Sequence, residues 1–251
     1  MTESVPIWKP ALVCGFVLGS LLTLFLVPPI AQDPTYHSLA DTRQFLGIPN
    51  FWNVVSNLPF LLVGWLGIRA ARVTEAVDAR LAWQVLFIGI GLVGVGSSWY
   101  HWAPDSARLV WDRLPITVGF MGLLVAMLAE VCDGRLSRLL IPAVLLGIVS
   151  VMVWAMTGDL RLYGWVQFMP LGVLLLLLVM YRAPYTRSGL LWLALAGYAL
   201  AKVFEHFDAV VFEVLRGTLS GHTLKHFAAA AGCWALVVML ATRERCFRDP
   251  S

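Results

Sequence analysis

The sequence predicts an all-α fold, a polytopic transmembrane helix bundle of eight spans, and three observations predict it. Of the 251 residues, 59% are hydrophobic and 13% are charged, about half the charged share of an ordinary soluble domain. Apolar runs of about 20 residues recur along the chain, each long enough to cross the roughly 30 Å hydrocarbon layer as a helix. The runs do not alternate polar with apolar residues, which excludes a closed barrel, the other architecture that satisfies its backbone in lipid.

The first run, Ala11 to Ile30, exceeds the apolar stretch of a signal peptide, and Pro29-Ile30-Ala31 makes a poor cleavage site, so it reads as a helix. The second, Phe51 to Arg72, opens on the block Phe51-Trp52-Asn53-Val54-Val55-Ser56-Asn57. In the third, Leu81 to Ala103, glycines at 89, 91, 94 and 96 allow a neighbouring helix to come close. The fourth, Leu109 to Val131, follows a short turn at Pro104, and the fifth and sixth run from Leu139 to Met156 and from Leu162 to Tyr181. The seventh, Gly189 to Phe212, holds Lys202, Glu205, His206 and Asp208, and the eighth runs from Gly221 to Ala241. Several of the 11 tryptophans and 6 tyrosines sit at span ends, as interfacial anchors do.

These spans divide the chain into an N-terminal transmembrane helix (1–32), a seven-helix domain (33–242) and a basic tail (243–251). One face then gathers Lys9, Arg69, Arg72, Arg80, Arg135, Arg138, Arg182, Arg187, Arg243, Arg245 and Arg248, against Arg43, Arg108, Arg161 and Arg216 on the other. The positive-inside rule makes the termini cytoplasmic. A net charge of +3 with scattered bases excludes an electrostatic nucleic-acid binder. Cys14, Cys132, Cys233 and Cys246 lack C-x-x-C spacing, so neither a disulfide framework nor a thiolate zinc site is indicated. The partner implied is the bilayer and a lipid within it, and no protein partner is inferable.

Ionisable groups are expensive inside a bilayer, so their positions carry the information. His101 closes the third span, Asp112 opens the fourth, and His222 and His226 open the eighth, four residues apart on one helix face. The topology brings all four to the non-cytoplasmic layer. Three imidazoles would leave a tetrahedral zinc one open position, the layout of a catalytic site, where the metal acidifies water and polarises a carbonyl. Asp112 is placed to take the proton. Ser97, one turn before His101, is placed to donate to an oxyanion, with Ser98 as an equally placed neighbour. The plainer readings are interfacial histidines, an Asp112–Arg113 ion pair, and serines bonded to their own helix.

The set Ser97, His101, Asp112, His222 and His226, with the Phe-Trp-Asn block, resembles the alkaline ceramidases over about residues 33 to 242. The resemblance implies a seven-helix zinc amidase that cleaves ceramide into sphingoid base and fatty acid. The same superfamily holds the progestin and adipoQ receptors and bacterial haemolysin III. It implies His101, His222 and His226 as zinc ligands, Asp112 as the water-activating carboxylate and Ser97 at the oxyanion, in a bacterial-type member with an additional first span. The calcium that eukaryotic relatives hold is disfavoured, because Asn50 stands where they carry a glutamate and residues 33–41 lack their acidic pattern. Asp33, Asp41, Asn50 and Asn53 would be the oxygens left to hold it.

His37 and Asp41 read as a loop pair over the pocket or as solvated loop residues. Lys202 and Glu205, three apart, read as an internal pair. Glu205, His206 or Asp208 could orient a ligand imidazole from behind. Two rival functions follow from the same residues. One is a receptor or haemolysin III-like protein whose structural zinc is closed by His206 or Asp208. The other is a proton-coupled transporter with a Lys202–Glu205–His206 relay, against which the lack of repeats and broken helices counts.

Overall fold

The computed structural model describes residues 6–246, is 76% helical and has no strand among them. Arg248 and the end of the tail lie outside the described residues. Among the described residues ten α-helices form: α1 Trp8–Leu26, α2 Phe51–Val55, α3 Leu58–Arg72, α4 Arg80–Trp102, α5 Ser106–Val131, α6 Leu140–Thr157, α7 Arg161–Met180, α8 Gly189–His206, α9 Asp208–Val214 and α10 Gly221–Thr242. Seven spans are long and apolar enough to cross a membrane, with α2 and α3 counted together, and α8 with α9 makes an eighth. The chain is a multi-pass membrane protein.

The seventh span differs from the continuous helix expected over Gly189 to Phe212, because α8 and α9 meet at 81°. Asp208 explains the bend. Its Oδ1 accepts the backbone N–H of His222 at 2.7 Å and its Oδ2 that of Ala40 at 3.0 Å. The chain turns so that this carboxylate meets the start of α10, where free N–H groups and the helix dipole favour an anion. Gly221 lets the two segments close, since a Cβ there would come within 2.3 Å of the Phe204 carbonyl.

The glycines of α4 seat it against its neighbours. A Cβ on Gly89 would meet Gly119 N at 2.7 Å, and one on Gly96 would meet the Trp111 carbonyl oxygen at 2.0 Å. That carbonyl is the one Pro115, lacking an N–H, leaves unsatisfied in the helix ladder. Gly96 against Trp111 therefore clamps α4 to α5 at the level where Ser97 and Asp112 face each other.

The segment between α1 and α2 folds back over this end of the bundle. Its 3₁₀ turn, Pro34–His37, is capped by the Asp33 side chain. Asp159 bonds Arg161 and receives the Ile30 N–H, while Arg161 Nη1 donates to the carbonyls of Leu24 (2.8 Å) and Val27 (2.7 Å). The Arg161 side-chain and backbone donors hold the Asp159 carboxyl down at about 2. Asp159→Ala is expected to release the segment, raising proteolytic cleavage between residues 27 and 50 about tenfold, the worth of one or two charge-assisted hydrogen bonds. Unchanged cleavage would show that the latch is dispensable.

Candidate metal centre

His101 reaches the centre from the last turn of α4, and His222 and His226 from the first turns of α10. All three are buried, and their ligand atoms lie within 4.8 Å of one another. His101 Nε2 and His222 Nε2 are 3.1 Å apart, and the three rings lie 4.6 to 5.1 Å from each other between centroids. Their lone pairs converge, so the triad could hold a metal ion.

Hydrogen bonds hold the His226 ring and the backbone of the other two histidines. Ser220 caps α10 by accepting the Thr223 N–H at 3.1 Å, and Asp208 holds the His222 N–H, so the helix begins at the first ligand. His226 Nδ1 sits 2.7 Å from Ser56 Oγ, which leaves Nε2 for a metal. Asn50, in a left-handed conformation with φ of 45° at the cap of α2, donates Nδ2 to the His101 carbonyl at 2.8 Å. Asn53 donates to the Asp41 carbonyl at 2.9 Å and accepts from Thr223 Oγ1, also at 2.9 Å. Asn50, Asn53 and Ser56 thus form a polar bracket between α4 and α10.

Ser56 was missed from the sequence. Its only signal was a serine among buried polar residues in a span, in register to face a histidine. Replacing Ser56 by Ala is expected to weaken metal binding 10- to 100-fold, as loss of the group that orients a ligand imidazole does. Competition with a chelator of known affinity reads this, and unaltered affinity would sink the role.

Asp112 lies on α5 with the Ser97 hydroxyl as its neighbour. Both line one cavity with His226. Ser98 is spent on backbone, donating toward the Gly94 and Val54 carbonyls at 2.8 and 3.1 Å. Arg113 makes no ion pair with Asp112; its Nη2 donates to Gln32 Oε1 at 2.6 Å. The cavity, about 560 Å³, starts at Asp33 and Tyr36 and runs between α4, α5, α7, α8 and α10 to Leu123, Leu174 and Leu236.

Of the seventh-span residues, Lys202 and Glu205 line the cavity. Glu205 pairs with Lys202, as its spacing suggested, and also with Lys225 Nζ at 2.7 Å. His206 is exposed and packs edge-on against Phe207. Asp208 acts on the His222 backbone rather than on an imidazole. The His37–Asp41 pair does not form. His37 bonds Tyr100 Oη at 3.0 Å and Ser106 Oγ at 3.1 Å, while Arg43 takes both Asp41 carboxylate oxygens at 2.8 and 2.6 Å. Asp33 serves Thr35. Of the residues considered for calcium, Asp33, Asp41 and Asn53 thus accept hydrogen bonds within the protein through their side-chain oxygens.

The fold is thus an all-α membrane bundle in which three imidazoles cluster, one of them, His226, lining an apolar cavity together with Asp112 and Ser97. The family model Ceramidase matches residues 46–250, beginning after α1, and the chain belongs to that family, as a ceramidase-like hydrolase acting on amide bonds. No curated protein shows a significant match to the chain.

Proposed function

We propose that this protein is a zinc-dependent intramembrane amide hydrolase that cleaves ceramide-like N-acyl lipids into a fatty acid and an amine base. The observation that carries the reading is the cluster of His101, His222 and His226, whose His226 shares the wall of an apolar cavity with Asp112 and Ser97. The donor set fits zinc. Tetrahedral Zn–N bonds of about 2.0–2.1 Å separate ligand nitrogens by about 3.4 Å, close to the 3.1 Å between His101 and His222 Nε2.

Among the described residues the metal-competent cluster has three members, and neither His206 nor Asp208 supplies a fourth. Three ligands suit a catalytic zinc better than a structural one, which favours a hydrolase over a receptor with structural zinc. When bound, the metal would supply Lewis acidity, acidifying water and polarising the amide carbonyl.

The chain's own residues do the rest. Asp112 takes the proton from the attacking water as its oxygen bonds to the carbonyl carbon, then gives it to the amide nitrogen as the C–N bond breaks. Ser97 donates to the carbonyl oxygen as negative charge builds there. The acyl chain lies in the apolar reach of the cavity, and Glu205, neutralised by Lys202 and Lys225, holds α8 to α10 beside the centre. The surplus of basic residues at the opposite end of the bundle supports cytoplasmic termini and a site near the non-cytoplasmic face.

The test is mass spectrometry of a panel of N-acyl lipids incubated with purified protein. Fatty acid and amine should appear in equal amounts, stop with a chelator and resume with zinc. No release, or release indifferent to the chelator, overturns the reading.

A further inference from the structure

Arg113 is a buried cation with no carboxylate in ion-pair contact. It is 4% exposed and takes no part in an ion pair among the described residues. The guanidinium lies 3.9 Å from the Trp154 ring centre, 4.6 Å from that of Tyr163 and 5.5 Å from that of Tyr36. Nη2 is held by Gln32, but Nη1 is buried with no hydrogen-bond partner, and the residue lines the same cavity as Asp112, Ser97 and His226.

A guanidinium cannot shed its proton, so the cost of taking it out of water stands until an anion meets it. The aromatic rings offset part of that cost. The other basic side chains of the cavity wall, Lys202 and Lys225, are both engaged by Glu205. Arg113 is thus the cation of the wall whose charge is left open toward a ligand.

We propose that Arg113 receives an anionic group on the lipid, a carboxylate or a phosphate carried on the amine half of the scissile amide, so that the preferred substrate is an acidic N-acyl lipid. This rests on the hydrolase reading above, in which the amide lies at Asp112. Asp112 and Arg113 are consecutive on α5 and both line the cavity, so one bound lipid meets both. The apolar reach of the cavity extends the other way, to Leu123 on the same helix, about 16 Å further along at 1.5 Å per residue. The acyl chain occupies that direction, and the acidic headgroup stays beside Gln32, Tyr36 and Arg113. A guanidinium edge suits either oxyanion.

The experiment compares three lipids with one acyl chain: neutral ceramide, an N-acyl serine with a free carboxylate, and ceramide 1-phosphate. The zinc-loaded full chain in lipid nanodiscs is assayed alongside R113M and R113K. The quantity read is kcat/KM for each acidic lipid divided by that for ceramide, in which general damage to the fold cancels. The ratio should fall about 30-fold in R113M, the scale of a hydrogen bond to a charged group, and recover in part in R113K. The arm that falls tells carboxylate from phosphate. An unchanged ratio in both arms overturns the inference while ceramide cleavage sustains the hydrolase reading.

If the native protein cleaves none of the three, the hydrolase reading fails. The anion site is then judged by equilibrium binding of fluorescent versions to the native chain. Binding of an acidic lipid at least tenfold tighter than ceramide supports it, and equal affinity overturns it.

Discussion

Replacing Asp112 by Asn is expected to lower amide hydrolysis about 1000-fold, within the range for loss of a general acid–base, while the protein keeps its metal. Asparagine matches the shape of aspartate and preserves the neighbourhood of Ser97 on the Gly96–Trp111 clamp, but its amide cannot take a proton from water. The loss should fall on kcat rather than KM, because the group acts on the reacting atoms in the transition state and not on the lipid chains. Single-turnover rates on a cleavable N-acyl lipid, with metal content measured on the same sample, read both quantities. Full activity would remove Asp112 from the reaction, and joint loss of metal and activity would recast it as a support of the triad.

His222→Ala is expected to have the larger effect: metal content below about a tenth of the native value and hydrolysis lost by at least 10⁴-fold, since a three-ligand centre loses both its hold and its geometry. His222 is the best ligand to remove, because its backbone N–H holds the Asp208 cap and the substitution leaves that hydrogen bond in place. The start of α10 and the α8–α9 bend should survive, so a melting temperature near that of the native apo-protein separates metal loss from unfolding. His222→Cys should recover part of the metal, as a thiolate also ligates zinc. Retained metal in the alanine variant would mean that His101 and His226 use another ligand.

The bundle was legible in the sequence because lipid leaves the backbone few options: a run of twenty apolar residues must be a helix. The candidate centre was legible for a related reason. His101, Asp112, His222 and His226 are costly near a bilayer, and counting spans from the termini places them at one level. The bend at Phe207 was hidden, because Asp208 reads as one more polar residue in a span until its partners, the N–H groups of Ala40 and His222, are known. Both lie far from the residues that set the local pattern. Ser56 and Arg113 were hidden likewise. A serine inside a span and an arginine next to an aspartate each have an ordinary local explanation, self-bonding for one and an ion pair for the other, and tertiary contacts with His226 and with Trp154 and Tyr163 displace both.

The hydrolase reading requires one metal ion among His101, His222 and His226. X-ray absorption at the zinc edge on the purified full chain tests it most directly. Expected are one zinc per chain with three imidazole nitrogens at about 2.0–2.1 Å and a fourth, oxygen ligand from water, a signal lost in His222→Ala. A zinc-free protein with full hydrolytic activity, or a zinc whose spectrum survives that substitution unchanged, would contradict it.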